Sequence, residues 1–323
     1  MLPNIQVESV KTIRQDSNHN AFTDLCRYRG RFYLTFRSCP DGHGYAGSSC
    51  IVILGSENGE DWTEEFKFVV PGRDVRDPHF IEFQDTLFLY TGTWLMPDPG
   101  SPMNLNDHLA YGIWTEDGNR WNGPQFLEGT YGHYIWRAAV WGERVFLCGR
   151  RRRGFQVSIE AEERPESIES AMLVSDNGFV WSFKTLFVEQ YGDETAFVFE
   201  EDGSILALVR DGDSKRARVC RAKAPWNEWT RASLKCNVGG PLLVQWGDNY
   251  LVGGRQPNAE GTATMTLSWL VDDTLKQAAV LPSGGDCSYP GFVPIDNGCG
   301  LLSYYSSHEG PTSIYLAKLN LQG

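Results

Sequence analysis

The chain has no CxxC pair, no His/Cys spacing suited to a metal, and no apolar run near the ~18 residues of a transmembrane helix. Its eight cysteines stand apart. Cys26, Cys50, Cys148 and Cys220 lie inside apolar stretches and read as small buried hydrophobes. Neither a metal nor a cofactor is therefore expected. Basic residues are also scarce, with 29 Lys and Arg against 41 Asp and Glu and a net charge of −12. That balance excludes a nucleic-acid-binding face, because no basic surface can be drawn from it. The one basic run, Arg150-Arg151-Arg152-Arg153, reads as a solvated loop or as a rim facing an anion. Met1-Leu2-Pro3-Asn4 lacks the basic and apolar regions of a signal peptide. A cytoplasmic protein with reduced thiols and no membrane partner is the expectation. Amphipathic helical stretches are few. The apolar runs are short and bounded by Gly, Asp, Asn or Pro, which argues strands throughout.

What the chain does have is a phrase that occurs three times. It reads Ser56-Glu57-Asn58-Gly59-Glu60-Asp61-Trp62, Thr115-Glu116-Asp117-Gly118-Asn119-Arg120-Trp121 and Ser175-Asp176-Asn177-Gly178-Phe179-Val180-Trp181, in steps of 59 and 60 residues. Asx-Gly is a strong hairpin signal, since Gly accepts positive φ and the Asx side chain bonds the backbone two residues on. The Trp starts the next strand and covers the turn with a large apolar face. Each copy is thus a clasp between antiparallel strands. It locates a repeated unit and carries no chemistry itself.

Six units follow from the clasp register. Each opens on a polar cluster, then has an apolar strand, a turn and a second strand. The turns fall at Arg29-Gly30, just before Thr86, at Gly142, Asp202-Gly203, Gly247-Asp248-Asn249 and Asn297-Gly298. Six units of about four strands predict an all-β, six-bladed β-propeller forming one domain over residues 1–323. The last unit has one strand too few. Residues 5–13 supply it, so the ring closes by pairing the two chain ends and leaves no long exposed edge.

The innermost strand of a propeller blade starts near the central axis, so the unit openings should ring one end of the channel. They are Asp24, Arg76 with Asp77, Arg137, Asp193 with Glu194, the Gly239-Gly240 pair, and Tyr289 with Asp286. Arg37, Arg210 and Arg255 end the second strands. Carboxylates crowded together shift one another's pKa, as acid–base chemistry requires, and arginines dock anions bidentately. Trp94 and Trp136 are candidate platforms for a stacked sugar, although a lone Trp in a blade is more often core. His79, His108, His133 and His308 read as structural or rim residues, with His308-Glu309 also a candidate for function.

The clasp is similar to the Asp-box of sialidases, in a form one residue shorter. Asp193-Glu194-Thr195, the Asp202-Gly203 turn and Arg210, sixteen residues after Glu194, resemble the sialidase segment in which N-E-P leads to an arginine at that spacing. Cys287-Ser288-Tyr289-Pro290 is similar to the segment carrying the sialidase nucleophile. The phrases at His19 to Leu25, Arg76 to Pro78, Gly284 to Gly291 and Ser303 to Gly310 also resemble bacterial proteins labelled exo-sialidase or BNR-repeat. The resemblance implies Tyr289 as nucleophile, Glu194 as its base, Arg210 as a substrate arginine and Arg255 as a looser candidate for another. The first unit departs, because Ala21-Phe22-Thr23-Asp24 stands where sialidases have F/Y-R-I-P. Arg37 and Arg76 are the candidates for that missing arginine. The acid/base aspartate would fall near residues 41–47, where Asp41 and His43 titrate. A weaker resemblance, to furanosidase propellers, rests on Asp24, the Asp77 of Arg-Asp-Pro and a later Glu.

The expectation is a sialidase-like glycoside hydrolase acting on an acidic sugar or oligosaccharide. Tyr289, Glu194 and one or more of Asp77, Asp24 and His43 would be catalytic. Arg210, Arg255, Arg37, Arg76, Arg137 and Asp286 would bind the substrate. The alternatives are a carboxylate-pair glycosidase, from among Asp24, Asp77, Glu194 and Asp286, and a non-catalytic carbohydrate-binding propeller.

Overall fold

The computed structural model describes residues 2–155, 165–213, 215–258, 260–296 and 298–322. Asn297, half of one expected turn, lies outside them. The chain opens with β1 (Asn4–Arg14). The first blade holds β2 (His19–Tyr28), β3 (Arg31–Cys39), β4 (Cys50–Ser56) and β5 (Thr63–Phe68). The second holds β6 (Arg73–Phe83), β7 (Thr86–Leu95), β8 (Tyr111–Thr115) and β9 (Asn122–Phe126). The third holds β10 (Tyr134–Trp141), β11 (Arg144–Arg152), β12 (Ile168–Ser175) and β13 (Ser182–Val188). The fourth holds β14 (Thr195–Phe199), β15 (Ile205–Val209), β16 (Arg218–Ala222) and β17 (Thr230–Ser233). The fifth holds β18 (Gly239–Trp246), β19 (Asn249–Pro257), β20 (Ala263–Val271) and β21 (Thr274–Val280). The last holds β22 (Cys287–Pro294), β23 (Cys299–Ser306) and β24 (Ser313–Gln322), with β1 as its outer strand. These are six antiparallel four-stranded sheets, so the chain is a six-bladed β-propeller.

The ring closes as the sequence suggests. β1 pairs with β24 from Asn4 opposite Gln322 to Arg14 opposite Ile314. Each first strand packs on the first strands of its neighbours, in the circuit β2, β6, β10, β14, β18, β22 and back to β2. The three clasps join third to fourth strands, and their bonding repeats. The Gly59, Gly118 and Gly178 N–H groups each donate to the Ser or Thr hydroxyl three residues back, at 2.9 Å. The Oδ1 of Asn58, Asp117 and Asn177 accepts two further backbone N–H groups at 2.8–3.0 Å. Those glycines have φ of 75–80°, which L side chains avoid.

Five of the six first strands share a feature not read from the sequence. Their pairing with the second strand skips two residues: Phe22-Thr23, Asp77-Pro78, Trp136-Arg137, Gly240-Pro241 and Tyr289-Pro290. Such bulges bend a strand and re-aim a side chain. Phe22, Asp77, Gly240 and Tyr289 take positive φ there, at 61°, 53°, 59° and 55°. Positive φ at a non-Gly residue is uncommon and strained, and it clusters at functional sites. Glu194 occupies the matching place in the fourth blade, directly before β14. The core lies between blades and includes Trp136, Phe146, Phe187, Phe197 and Tyr305.

Candidate functional site

Glu194 and Tyr289 meet at the axis although 95 residues separate them. The Tyr289 hydroxyl donates to Glu194 Oε1 at 2.5 Å. Glu194 Oε2 accepts from Arg210 at 2.8 Å and from the Gly240 N–H at 2.9 Å. Gly240 is required by this packing. A Cβ there would lie 2.5 Å from Tyr289 Cδ2 and 2.8 Å from Ser288 Oγ. Burial, and then the Glu194 carboxylate, push the phenol well above the usual tyrosine range, with Arg210 opposing them. The phenol is therefore neutral at rest, and its proton has one acceptor in line, Glu194.

Asp77 is buried and hydrogen-bonded by the Tyr134 hydroxyl, while its other oxygen is buried without a partner. Burial, then the nearby Glu194 charge, raise Asp77 to about 7 against the hydrogen bond from Tyr134 and the charge of Arg76. Between the ordinary carboxyl range and about 7, the folded protein holds a proton that the unfolded chain has released. Stability should thus fall as pH rises through that window. Asp77→Asn is expected to flatten this decline and to exceed the wild type at pH 8, by on the order of a few kcal/mol. Denaturant unfolding at pH 5 and pH 8 checks it, and an unchanged pH slope would refute the assignment.

Asp74, which sequence reasoning overlooked, anchors two of the candidate arginines. Its Oδ1 accepts from Arg37 Nε and Nη2 at 3.2 and 3.0 Å, and its Oδ2 accepts from Arg76 Nε at 2.5 Å. Asp74 and Arg37 are fully buried. The remaining guanidinium groups bond carbonyls of one loop. Arg37 reaches Gly42 and Gly44, and Arg76 reaches His43 and Gly44. Arg37 therefore holds a loop instead of presenting itself to a ligand. At the bulge of the first blade Phe22, not an arginine, stands at the ring. It packs 4.8 Å from the Tyr289 ring and lies under both guanidiniums, at 5.9 Å from Arg37 and 5.6 Å from Arg76.

Arg137 bonds the Pro241 and Pro290 carbonyls and Asp24, at 2.9, 2.6 and 3.3 Å, so it ties the first, third, fifth and sixth blades together. Asp24 also accepts the Phe80 N–H at 2.8 Å and lies 3.5 Å from His79. Burial opposes its ionisation, but His79 and Arg137 hold it below the usual carboxylate range. Asp24, His79 and Arg137 line a channel cavity of about 170 Å³ whose lining omits Tyr289, Glu194 and Asp77. Asp24 is thus committed to the channel ion pair.

Arg255 is less engaged. Its Nη1 is 3.5 Å from the Cys287 carbonyl and 3.9 Å from Asp286, and its side chain is partly exposed. Asp286 accepts from His19, His43 and Tyr305 at 2.8, 2.6 and 2.9 Å. Asp41 accepts from Ser48 at 2.5 Å at the surface. Arg150 pairs with Asp193 at 2.9 Å and Arg151 with Glu169 at 3.0 Å, so the basic run is laced to carboxylates at the rim. Trp94 and Trp136 are buried and offer no face to a sugar. They pack on His108 at 4.0 Å and on His79 and Tyr289 at 4.6 and 5.0 Å. His308 bonds Ser306 at 3.0 Å, and Glu309 accepts from Tyr315 at 2.8 Å. The eight cysteines are free thiols, with Cys26 only half-buried.

Phe22, Trp136, Asp74 and the Gly240 N–H were missed or underread. A signal for the bulges existed. Proline follows the axial residue at 78, 241 and 290, a place where a strand has given up a ladder bond.

No family model and no curated protein matches the sequence. Solved structures do match in fold. A Dyadobacter fermentans protein of unknown function is 18% identical over 99% of this chain and 100% of its own, with a TM-score of 0.82. The Trypanosoma rangeli sialidase is 12% identical over 98% of this chain, with a TM-score of 0.68. NanB sialidase of Streptococcus pneumoniae is 10% identical over 95% of this chain, also with a TM-score of 0.68. This chain spans 60% and 69% of those two sialidases. The protein is thus a sialidase-like six-bladed propeller. At these identities the likeness is one of fold.

Proposed function

We propose that the protein is a retaining glycoside hydrolase of sialidase type, acting on an anionic sugar. The observation that carries this reading is the Tyr289 hydroxyl 2.5 Å from Glu194, whose second oxygen is occupied by Arg210 and the Gly240 N–H. A neutral phenol attacks an anomeric carbon without bringing a second negative charge against an anionic substrate. Glu194 Oε1 takes its proton as the bond forms. Arg255, with a partly exposed and weakly engaged guanidinium, is the arginine to which an anionic group would dock. Asp77, carrying a proton near neutrality, presents a donor to a sugar hydroxyl. The carboxylate-pair alternative gains no support, since Glu194 is committed to the tyrosine, Asp24 to Arg137 and Asp286 to two histidines.

The test is turnover of 4-nitrophenyl glycosides of N-acetylneuraminic acid, uronic acids, sulfated sugars and neutral furanosides. Cleavage of an acidic glycoside is expected, with the first-formed anomer retained by proton NMR. Cleavage of neutral furanosides alone, or inversion, would overturn the reading.

A further inference from the structure

His19, His43 and Asp286 come from widely separated parts of the chain and meet beside Phe22. His19 starts β2, His43 lies in the loop after β3, and Asp286 directly precedes β22. Asp286 Oδ2 accepts from His19 Nε2 at 2.8 Å and from His43 Nδ1 at 2.6 Å. Its Oδ1 accepts from the Tyr305 hydroxyl at 2.9 Å, and its backbone N–H donates to Ser307 Oγ at 2.9 Å. Burial opposes ionisation of Asp286, but the bonds from His19, His43 and Tyr305 hold its carboxyl far below the usual range.

The loop that carries His43 is clamped from beneath. Arg37 and Arg76, joined through Asp74, donate to the carbonyls of all three residues from 42 to 44. Burying two guanidiniums and a carboxylate is costly unless every group is partnered. Here that investment fixes one short loop, and His43 is the only residue between Gly42 and Gly44. The His43 side chain is 52% exposed. Its Nδ1 faces Asp286, and its Nε2 has no protein hydrogen bond among the described residues. Its ring stands edge-on to Phe22 at 5.5 Å, and Phe22 packs at 4.8 Å on Tyr289.

We propose that His43 passes the proton to and from the leaving-group oxygen in the reaction at Tyr289, with Asp286 and His19 as positioning residues. The proposal rests on the glycoside hydrolase reading above. Asp286 accepts from Nδ1 in either protonation state, so Nε2 is the atom that exchanges the proton. In the first step the Tyr289 oxygen bonds the anomeric carbon and its proton passes to Glu194 Oε1. The bond from that carbon to the leaving oxygen breaks, and the leaving oxygen takes the proton from His43 Nε2. In the second step a water oxygen bonds the same carbon and gives one proton to His43 Nε2. The bond to Tyr289 breaks, and the phenol recovers its proton from Glu194. All three groups return to their starting states.

The experiment uses the full chain, its His43→Ala and Asp286→Asn variants, and two glycosides of N-acetylneuraminic acid, with parallel glycosides of glucuronic acid. One glycoside of each pair is the 4-nitrophenyl, whose leaving phenolate needs no proton, and the other is the methyl. His43→Ala is expected to lose at least about 10²-fold in kcat/KM, which reports the steps up to departure of the leaving group, on the methyl glycoside and less than about 10-fold on the nitrophenyl one. Asp286→Asn should show the same leaving-group dependence, and ¹⁵N NMR should show the Nδ1–H tautomer of His43 depleted in it. Equal losses on both glycosides, or wild-type activity in His43→Ala, would overturn the role of His43 while leaving the hydrolase reading intact. Absence of turnover by the wild type on all four glycosides and on the sulfated 4-nitrophenyl glycosides would overturn the reading and this role together. Stoichiometric zinc binding that requires His19, His43 and Asp286 would overturn the role by making the cluster a metal centre.

Discussion

Replacing Tyr289 by Phe, or Glu194 by Gln, is expected to lower kcat by roughly 10³-fold or more on whichever acidic glycoside the wild type cleaves. Tyr289→Phe removes the attacking oxygen and nothing else. The ring keeps its packing against Phe22 and Trp136. The stability cost is one hydrogen bond, about 1 kcal/mol. Glu194→Gln preserves the shape but loses the base. It also leaves Arg210 with Asp193, 3.4 Å away, as its remaining carboxylate, so it should cost more stability than Tyr289→Phe. The double variant should be little worse than either single one, because the two residues act as one unit. Steady-state kinetics beside circular dichroism and thermal unfolding make the check. Full activity in either single variant would end the role given to that residue.

The second large effect concerns stability. Asp74→Ala is expected to destabilise the fold by about 3–5 kcal/mol, the usual cost of stranding buried charge by removing its partner. Two guanidiniums are stranded here. Arg37 is fully buried and Arg76 nearly so. The loop carbonyls they hold would lose their fixed donors, so the loop at residues 42–44 should loosen as well. Denaturant unfolding measures the first effect and hydrogen exchange of the loop amides the second. A cost below about 1 kcal/mol would mean that water replaces Asp74 readily and that the loop does not depend on it.

Much of the architecture was legible because its determinants are local. Asx-Gly turns, short apolar runs and a repeating clasp depend on neighbours within a few residues. The blade count followed from them, as did the use of residues 5–13 to complete the last blade. The resemblance of their segments to sialidase segments singled out Glu194, Arg210 and Tyr289, and the structure joins the three in one hydrogen-bonded group. The bulges were harder to read. A strand that skips two residues looks continuous in sequence, yet it moves every later side chain to a new place. Aligning units by their charged openings therefore set Asp24 and Arg137 at the rim, where the ring instead carries Phe22 and Trp136.

By itself the sequence determined the strands, the turns, the number of blades and the residue types available at the axis. Period-two patterning and turn chemistry are properties of adjacent residues, and a net charge of −12 needs no fold to be read. Only the tertiary structure decided which charges neutralise one another. It turned Arg37 inward onto Asp74, locked Arg137 across the channel, and brought His43 to Asp286 across 243 residues of chain. An ion pair is won by whichever partner ring closure and a bulge bring within about 4 Å, and spacing along a strand does not encode that distance.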